Sequence, residues 1–223
     1  MKLETLFFDA GGTLVFPDPR LTLAALDEIH RSPTQEQLYL AERDAKHQLD
    51  EARAHGSTGV DARYWQLYYD RLLREMEIAD DAIRDRLVAA TRAGINWRRV
   101  RPGTRESLQR MRQRYRLGII SNSDGSISRL LGEVGLGDCF DSVVDSHHCG
   151  AEKPDPRIFR AALESLGSAP ERSLYVGDIQ SVDYAGARAA GLHAVLMDVA
   201  GVYAGSGLPR VTSMSELESW IDL

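Results

Sequence analysis

Apolar side chains gather in five short runs: Leu3–Phe8, Arg116–Ile120, Asp141–Val144, Ser173–Val176 and His193–Met197, each closed by small or polar residues. Runs of this length predict buried strands. Between the last four lie stretches long enough for one helix each, and that alternation predicts a parallel sheet. Helix punctuation agrees. Asp155-Pro156 reads as an N-cap with proline at the first helical position, closed by Gly167, and Ser213-Met214-Ser215-Glu216 reads as a capping box for a C-terminal helix.

After the first run the pattern changes. From about Phe16 to Trp97 the apolar positions recur at helical spacing only. Ser32-Pro33-Thr34-Gln35 reads as a capping box, followed by Leu38, Ala41, Ala45, Leu49 and Ala52 up to Gly56. Asp61 opens a second helix bearing Tyr64, Trp65, Leu67, Tyr68 and Leu72, whose aromatic residues read as core. Asp80 opens a third, with Ile83, Leu87 and Ala90, stopped at Gly94. The expected organisation is an α/β core over residues 1–16 and 98–223, interrupted by an all-helical domain at 17–97.

Composition narrows the function classes. The chain has 223 residues, 43% hydrophobic and 27% charged, which excludes a disordered or fibrous chain. The net charge of −6 comes with no basic stripe, so no nucleic-acid partner is expected. Two cysteines, Cys139 and Cys149, form no CxxC pair, and a reducing interior is the default. The apolar run at the amino end is too short for a signal peptide and nothing reaches the length of a membrane span, so a soluble cytoplasmic protein is expected. Only Lys2, Lys46 and Lys153 are lysines, which makes a lysine in a site conspicuous.

In an open parallel sheet, chemistry collects at the carboxyl ends of the strands. There the first run delivers Asp9-Ala10-Gly11-Gly12-Thr13 and the second Ser121-Asn122-Ser123-Asp124. The third is followed by Glu152-Lys153-Pro154, and the fourth delivers Gly177-Asp178, with Asp183 five residues on. A carboxylate followed by Gly-Gly-Thr is suited to act as a nucleophile beside backbone N–H groups. Asp9, Asp178 and Asp183 are hard oxygen ligands suited to Mg²⁺. Ser121 and Asn122 are donors for phosphoryl oxygens, and Lys153 offsets charge on Asp9 and on a phosphoryl group. Each feature alone has a plainer reading as a turn or helix cap. Their joint occurrence, in order, at consecutive strand ends does not.

These residues resemble the haloacid dehalogenase-like hydrolase superfamily. The match lies in Phe7-Phe8-Asp9-Ala10-Gly11-Gly12-Thr13-Leu14, Ile119-Ile120-Ser121-Asn122, Lys153-Pro154-Asp155-Pro156-Arg157-Ile158-Phe159, and Val176-Gly177-Asp178 with Asp183 and Gly186–Gly191. The resemblance implies a Rossmann-like core with a helical cap, and a small phosphorylated molecule as substrate. It implies Asp9 as covalent nucleophile, and Mg²⁺ held by Asp9, the Gly11 carbonyl and Asp178, with Asp183 acting on the ion's water shell. Gly12, Thr13, Ser121, Asn122 and Lys153 would hold the phosphoryl group.

The chain departs from the family's phosphatases at Gly11, where they carry an acid/base Asp; such help is worth roughly 10²–10⁴-fold. Three readings stay open. The protein is a phosphatase for esters with good leaving groups or with an acid/base from elsewhere, a phosphonate- or haloacid-type C–X hydrolase, or a weakly catalytic phospholigand-binding module. A Schiff base for the phosphonate chemistry would need Lys46, which sits beside the apolar face of its helix, where a solvated charge is expected. His147, His148 and Cys149 suggest zinc, but adjacent histidines are expected to point apart and no second ligand pair exists. A surface turn is expected there, with His147 or His148 as a substitute acid/base the other reading. The oligomeric state is open between monomer and weak dimer.

Overall fold

The computed structural model describes residues 2–54 and 63–221. Gly56 and Asp61, read above as a helix stop and a helix start, lie outside the described residues. The chain divides into two units: an α/β unit of Met1–Phe16, Arg98–Val199 and Tyr203–Leu223, and a helical unit of Pro17–Trp97 with Ala200–Val202.

In the α/β unit, six parallel strands run in the order β5-β4-β1-β6-β7-β8. They are β1 (Thr5–Phe8), β4 (Arg116–Ser121), β5 (Ser142–Asp145), β6 (Ser173–Gly177), β7 (His193–Met197) and β8 (Arg210–Val211). β1 and β6 are buried along their whole length, as central parallel strands covered on both faces must be. Aligned registers, with Phe8 beside Ile119 and Val176, bring the ends of β4, β1 and β6 level, so Asp9, Ser121 and Gly177 emerge along one edge. The two-residue β8 departs from the expected pattern; its pairing in the sheet, not its composition, defines it.

Helices α6 (Thr104–Arg112), α7 (Ile127–Glu133), α8 (Ser146–Cys149), α9 (Pro156–Ser165), α10 (Ala185–Ala189) and α11 (Met214–Ile221) belong to this unit. Asp155 caps α9 by accepting from the Arg157 N–H, with Pro156 at the first position, as the sequence predicts. At α11, Ser213 accepts from the Glu216 N–H, but the Glu216 carboxylate reaches back to Thr212 instead of Ser213.

The helical unit contains α1 (Pro19–Thr22), α2 (Ala24–Asp27), α3 (Gln35–Ala54), α4 (Tyr64–Glu75) and α5 (Asp81–Arg92). Its capping box is Thr34 with Gln37, two residues later than predicted: Gln37 N–H donates to the Thr34 hydroxyl and the Gln37 amide oxygen accepts from Thr34 N–H. Asp80 caps α5 as expected. Leu26, Ala41, Tyr69, Leu72, Ile83 and Leu87 form its core, with Trp65 and Tyr68 packed against it. Trp65 stacks edge-on against Trp97 at 5.8 Å, so the aromatic residues of α4 serve packing. Ala200–Val202, assigned to the core by sequence pattern, fall in this unit, where Arg43 donates to the Ala200 carbonyl and His47 bonds the Val202 carbonyl.

The stretch read as free of strands is bounded by two. β2 (Val15–Pro17) and β3 (Trp97–Val100) form a separate two-stranded sheet where the chain leaves the α/β unit and returns to it. Three or four residues carry too little periodicity to announce a strand. No helix among the described residues is long and apolar enough to cross a membrane.

Candidate active site

Asp9 is the first residue past β1, its N–H fixed on the Val176 carbonyl of the neighbouring strand at 2.8 Å. The chain then turns tightly, with Leu14 and Val15 N–H both on the Ala10 carbonyl. Gly12 has φ +74°, and a Cβ there would lie 2.4 Å from Asp178 Oδ2, so only glycine fits this crossing. Its N–H donates to the Val15 carbonyl at 3.0 Å. The phosphoryl donor expected at Gly12 is therefore spent inside the loop, and what Gly12 contributes is room for Asp178. Thr13 is buried, and its hydroxyl has no hydrogen-bond partner among the described residues.

Asn122, just past β4, grips the backbone of Lys153: its amide oxygen accepts from Lys153 N–H at 2.7 Å and its amide nitrogen donates to the Lys153 carbonyl at 3.1 Å. One amide proton of Asn122 remains for a ligand. The side chain expected to hold phosphate thus first holds the lysine. Ser146 braces the same loop, accepting from Ser123 N–H and donating to the Ser123 carbonyl.

The Lys153 side chain is 3% exposed and donates three times: to Asp9 Oδ1 at 2.6 Å, Asp183 Oδ1 at 2.8 Å and the Tyr175 hydroxyl at 2.9 Å. Three donors meet three acceptors, so a buried ammonium is fully satisfied. Asp183 sits in a π-helical turn, Gln180–Tyr184, and its second oxygen accepts from the Asp178 and Ile179 N–H groups. A Cβ on Gly177 would lie 2.4 Å from Asp183 Cγ, which explains the glycine before Asp178.

Asp9, Asp178 and Asp183 each offer a carboxylate oxygen within 4.8 Å of the others, and all three are buried. Among the described residues, Lys153 is the ammonium bonded to two of these three carboxylates, Asp9 and Asp183, so the cluster carries more acids than ammonium groups. Burial pushes Asp9 up to about 7; Lys153 pulls it down, while Asp183 and Asp178 add to the rise. Burial works against the charge on Lys153, but Asp183 and Asp9 outweigh it and hold the ammonium above its ordinary range. An all-oxygen, over-negative donor set of this kind fits a hard divalent cation such as Mg²⁺.

Two other expectations change. His147 and His148 do not point apart: their exposed rings meet edge to face at 5.3 Å, and both lie against Gly125. They form no metal-ligand group among the described residues. Lys46 is not a solvated charge: it is 2% exposed, with its ammonium on Glu42 at 2.8 Å, one helical turn earlier. Tyr175, whose hydroxyl meets Lys153 and Asp183, is a residue that the sequence pattern does not single out; its only signal is a hydroxyl-bearing ring between Leu174 and Val176.

The model of the family described as haloacid dehalogenase-like hydrolase matches residues 3–191. The chain belongs to that family of hydrolases. It is 36% identical over 149 residues to haloacid dehalogenase-like hydrolase domain-containing protein 3 of Homo sapiens, covering 63% of this chain and 58% of that protein. It is 40% identical over 100 residues to glyceraldehyde 3-phosphate phosphatase of Methanothermobacter thermautotrophicus, covering 44% of each. The chain thus matches less than two thirds of the length of these relatives. Its fold is similar to that of the HAD-hydrolase YfnB from Bacillus subtilis bound to magnesium, with a TM-score of 0.69 and 19% identity over all of both chains.

Proposed function

We propose that this hydrolase is a Mg²⁺-dependent phosphatase for a small phosphorylated molecule, working through an aspartyl-phosphate at Asp9. The observation that carries the reading is the bond from Lys153 to one oxygen of Asp9 inside a ring of three buried carboxylates. A C–X hydrolase of the haloacid type has no use for so much excess negative charge. The phosphatase named among the relatives, and the magnesium in the structure of the similar fold, point the same way.

Asp9 and Asp178, with the Gly11 carbonyl, would hold the ion, and Asp183 would act on its water shell. When bound, Mg²⁺ supplies charge neutralisation for the phosphoryl oxygens and for the carboxylates. Lys153 holds Asp9 Oδ1, which leaves Oδ2 to attack phosphorus. The P–O bond to the leaving group breaks as the bond to Asp9 forms. The departing alkoxide takes its proton from water, because Gly11 has no side chain to give one. Water then attacks the phosphorus and gives up a proton to the hydroxide left when the alkoxide was protonated, the P–O bond to Asp9 breaks, and the carboxylate returns. Thr13, whose buried hydroxyl has no partner among the described residues, would donate to a phosphoryl oxygen, as would Ser121 and the remaining amide proton of Asn122.

Gly11 favours substrates whose leaving groups need little protonation. The test is a panel of phosphate esters of graded leaving-group basicity, assayed with Mg²⁺ for the wild type and Asp9→Asn. Phosphate release that depends on Asp9 and on Mg²⁺ is expected, steepest for the best leaving groups. Absence of any such turnover would favour a phospholigand-binding module.

A further inference from the structure

Tyr175 lies in β6, two residues before Gly177, and belongs to no motif that the sequence presents. Its ring is buried beside Phe159 at 5.3 Å. Its hydroxyl accepts from Lys153 at 2.9 Å and has its own proton facing Asp183 Oδ1 at 3.0 Å and the Ile120 carbonyl at 3.3 Å. One oxygen therefore touches both the ammonium and the carboxylate that flank Asp9.

We propose that the Tyr175 hydroxyl is a positioning group for Lys153. The proposal rests on the aspartyl-phosphate reading above. An ammonium has three protons in fixed directions. Two of them are tied by Tyr175 and Asp183, on β6 and on the turn that follows it, so the third stays on the Asp9 side. That third proton has a changing partner. In the free enzyme it sits on Asp9 Oδ1. When Oδ2 has bonded to phosphorus, Oδ1 becomes the carbonyl oxygen of an acyl phosphate, loses its charge and accepts weakly. The proton then finds a charged phosphoryl oxygen instead, with no net proton transfer. Without Tyr175 the ammonium has a free proton inside the protein and a second direction to lean, and its aim at the reacting group is lost.

Tyr175→Phe keeps the ring and its packing and removes one oxygen. Losing a hydrogen bond to a charged group predicts a fall in kcat of roughly 10- to 100-fold, with KM for the ester within about threefold because Tyr175 does not touch the substrate. A second readout needs no turnover. With [¹⁵N]lysine, only Lys2, Lys46 and Lys153 report. The Lys153 ammonium resonance of the wild type is expected to be protected from solvent exchange and to show an Overhauser contact to the Tyr175 ring. In Tyr175→Phe the protection of Lys153 is expected to drop while the resonance of Lys46 is unchanged. An unchanged Lys153 resonance overturns the proposal whether or not kcat falls, since any loss would not travel through Lys153. If the Phe variant does not fold, the wild-type spectrum decides: no contact between Lys153 and Tyr175 overturns the proposal. Full turnover in Asp9→Asn would instead remove the aspartyl-phosphate reading and leave the spectroscopic result standing.

Discussion

The two units each bury one lysine, and they do so differently. Lys153 in the α/β unit meets acceptors from three places: Asp9 after β1, Tyr175 in β6 and Asp183 beyond it. Lys46 in the helical unit meets Glu42 on its own helix, and the Glu42 side chain is 28% exposed. The first pair is assembled by the tertiary fold and cannot relax without dismantling the sheet edge. Lys46 has as one partner an acid one helical turn earlier that is itself partly exposed. Both lysines are buried, and what the Lys153 bonds display is the convergence of acceptors lying 22 to 144 positions away in the sequence.

Asp9→Asn should break the site most completely, with turnover falling by roughly four orders of magnitude or more. Its melting temperature should hold or rise, because one of three crowded carboxylates is gone; a thermal scan beside a phosphate-release assay checks both. Lys153→Met and Lys46→Met sharpen the contrast directly. Removing Lys153 leaves uncompensated buried carboxylates and should cost about 3–5 kcal/mol at pH 8. Removing Lys46 should cost less than that, because the partly exposed Glu42 carboxylate it leaves behind can be solvated. Urea titrations of the two variants measure this, and equal losses would contradict the distinction between the two lysines.

Gly11→Asp acts in the other direction. If the remaining site is competent, kcat should rise at least tenfold for esters with poor leaving groups and change little for the best ones, since only the former need the proton. A uniform rise or no rise would locate the deficit elsewhere. The smallest effect is on pH. Without a cation the folded state raises Asp9 from 3.8 to about 7. Between those values the folded protein holds a proton that the unfolded chain has released, so the Asp9 contribution to stability falls as pH rises from about 4 to about 7. Mg²⁺ binding at pH 6 should therefore release protons, and the release should fade above pH 8. Calorimetry in buffers of different ionisation enthalpy reads it directly.

Much of the site is legible in the amino-acid sequence. Asp9, Asp178 and Asp183 follow buried strands and Lys153 follows the partly buried β5, and strand ends are marked by patterns that a single sequence displays. What is not legible depends on contacts between distant residues. The Asn122 side chain and the Gly12 N–H look like ligand donors in sequence, but Lys153 and Val15 claim them in the fold. Tyr175 looks like core packing until its hydroxyl is seen on Lys153. Lys46 looks solvated because helical periodicity records which side a residue lies on and not what covers it. β2, β3 and β8 are too short to carry a period at all.

Rapid quenching tests the proposed covalent phosphorylation of Asp9 most directly. The wild type is mixed with Mg²⁺ and a phosphate ester, quenched in acid within the first turnover, and its peptides are mapped by mass spectrometry. The expected result is a phosphoryl increment on the peptide bearing Asp9, absent in Asp9→Asn. Turnover with no increment, or an increment on any other residue, would contradict it.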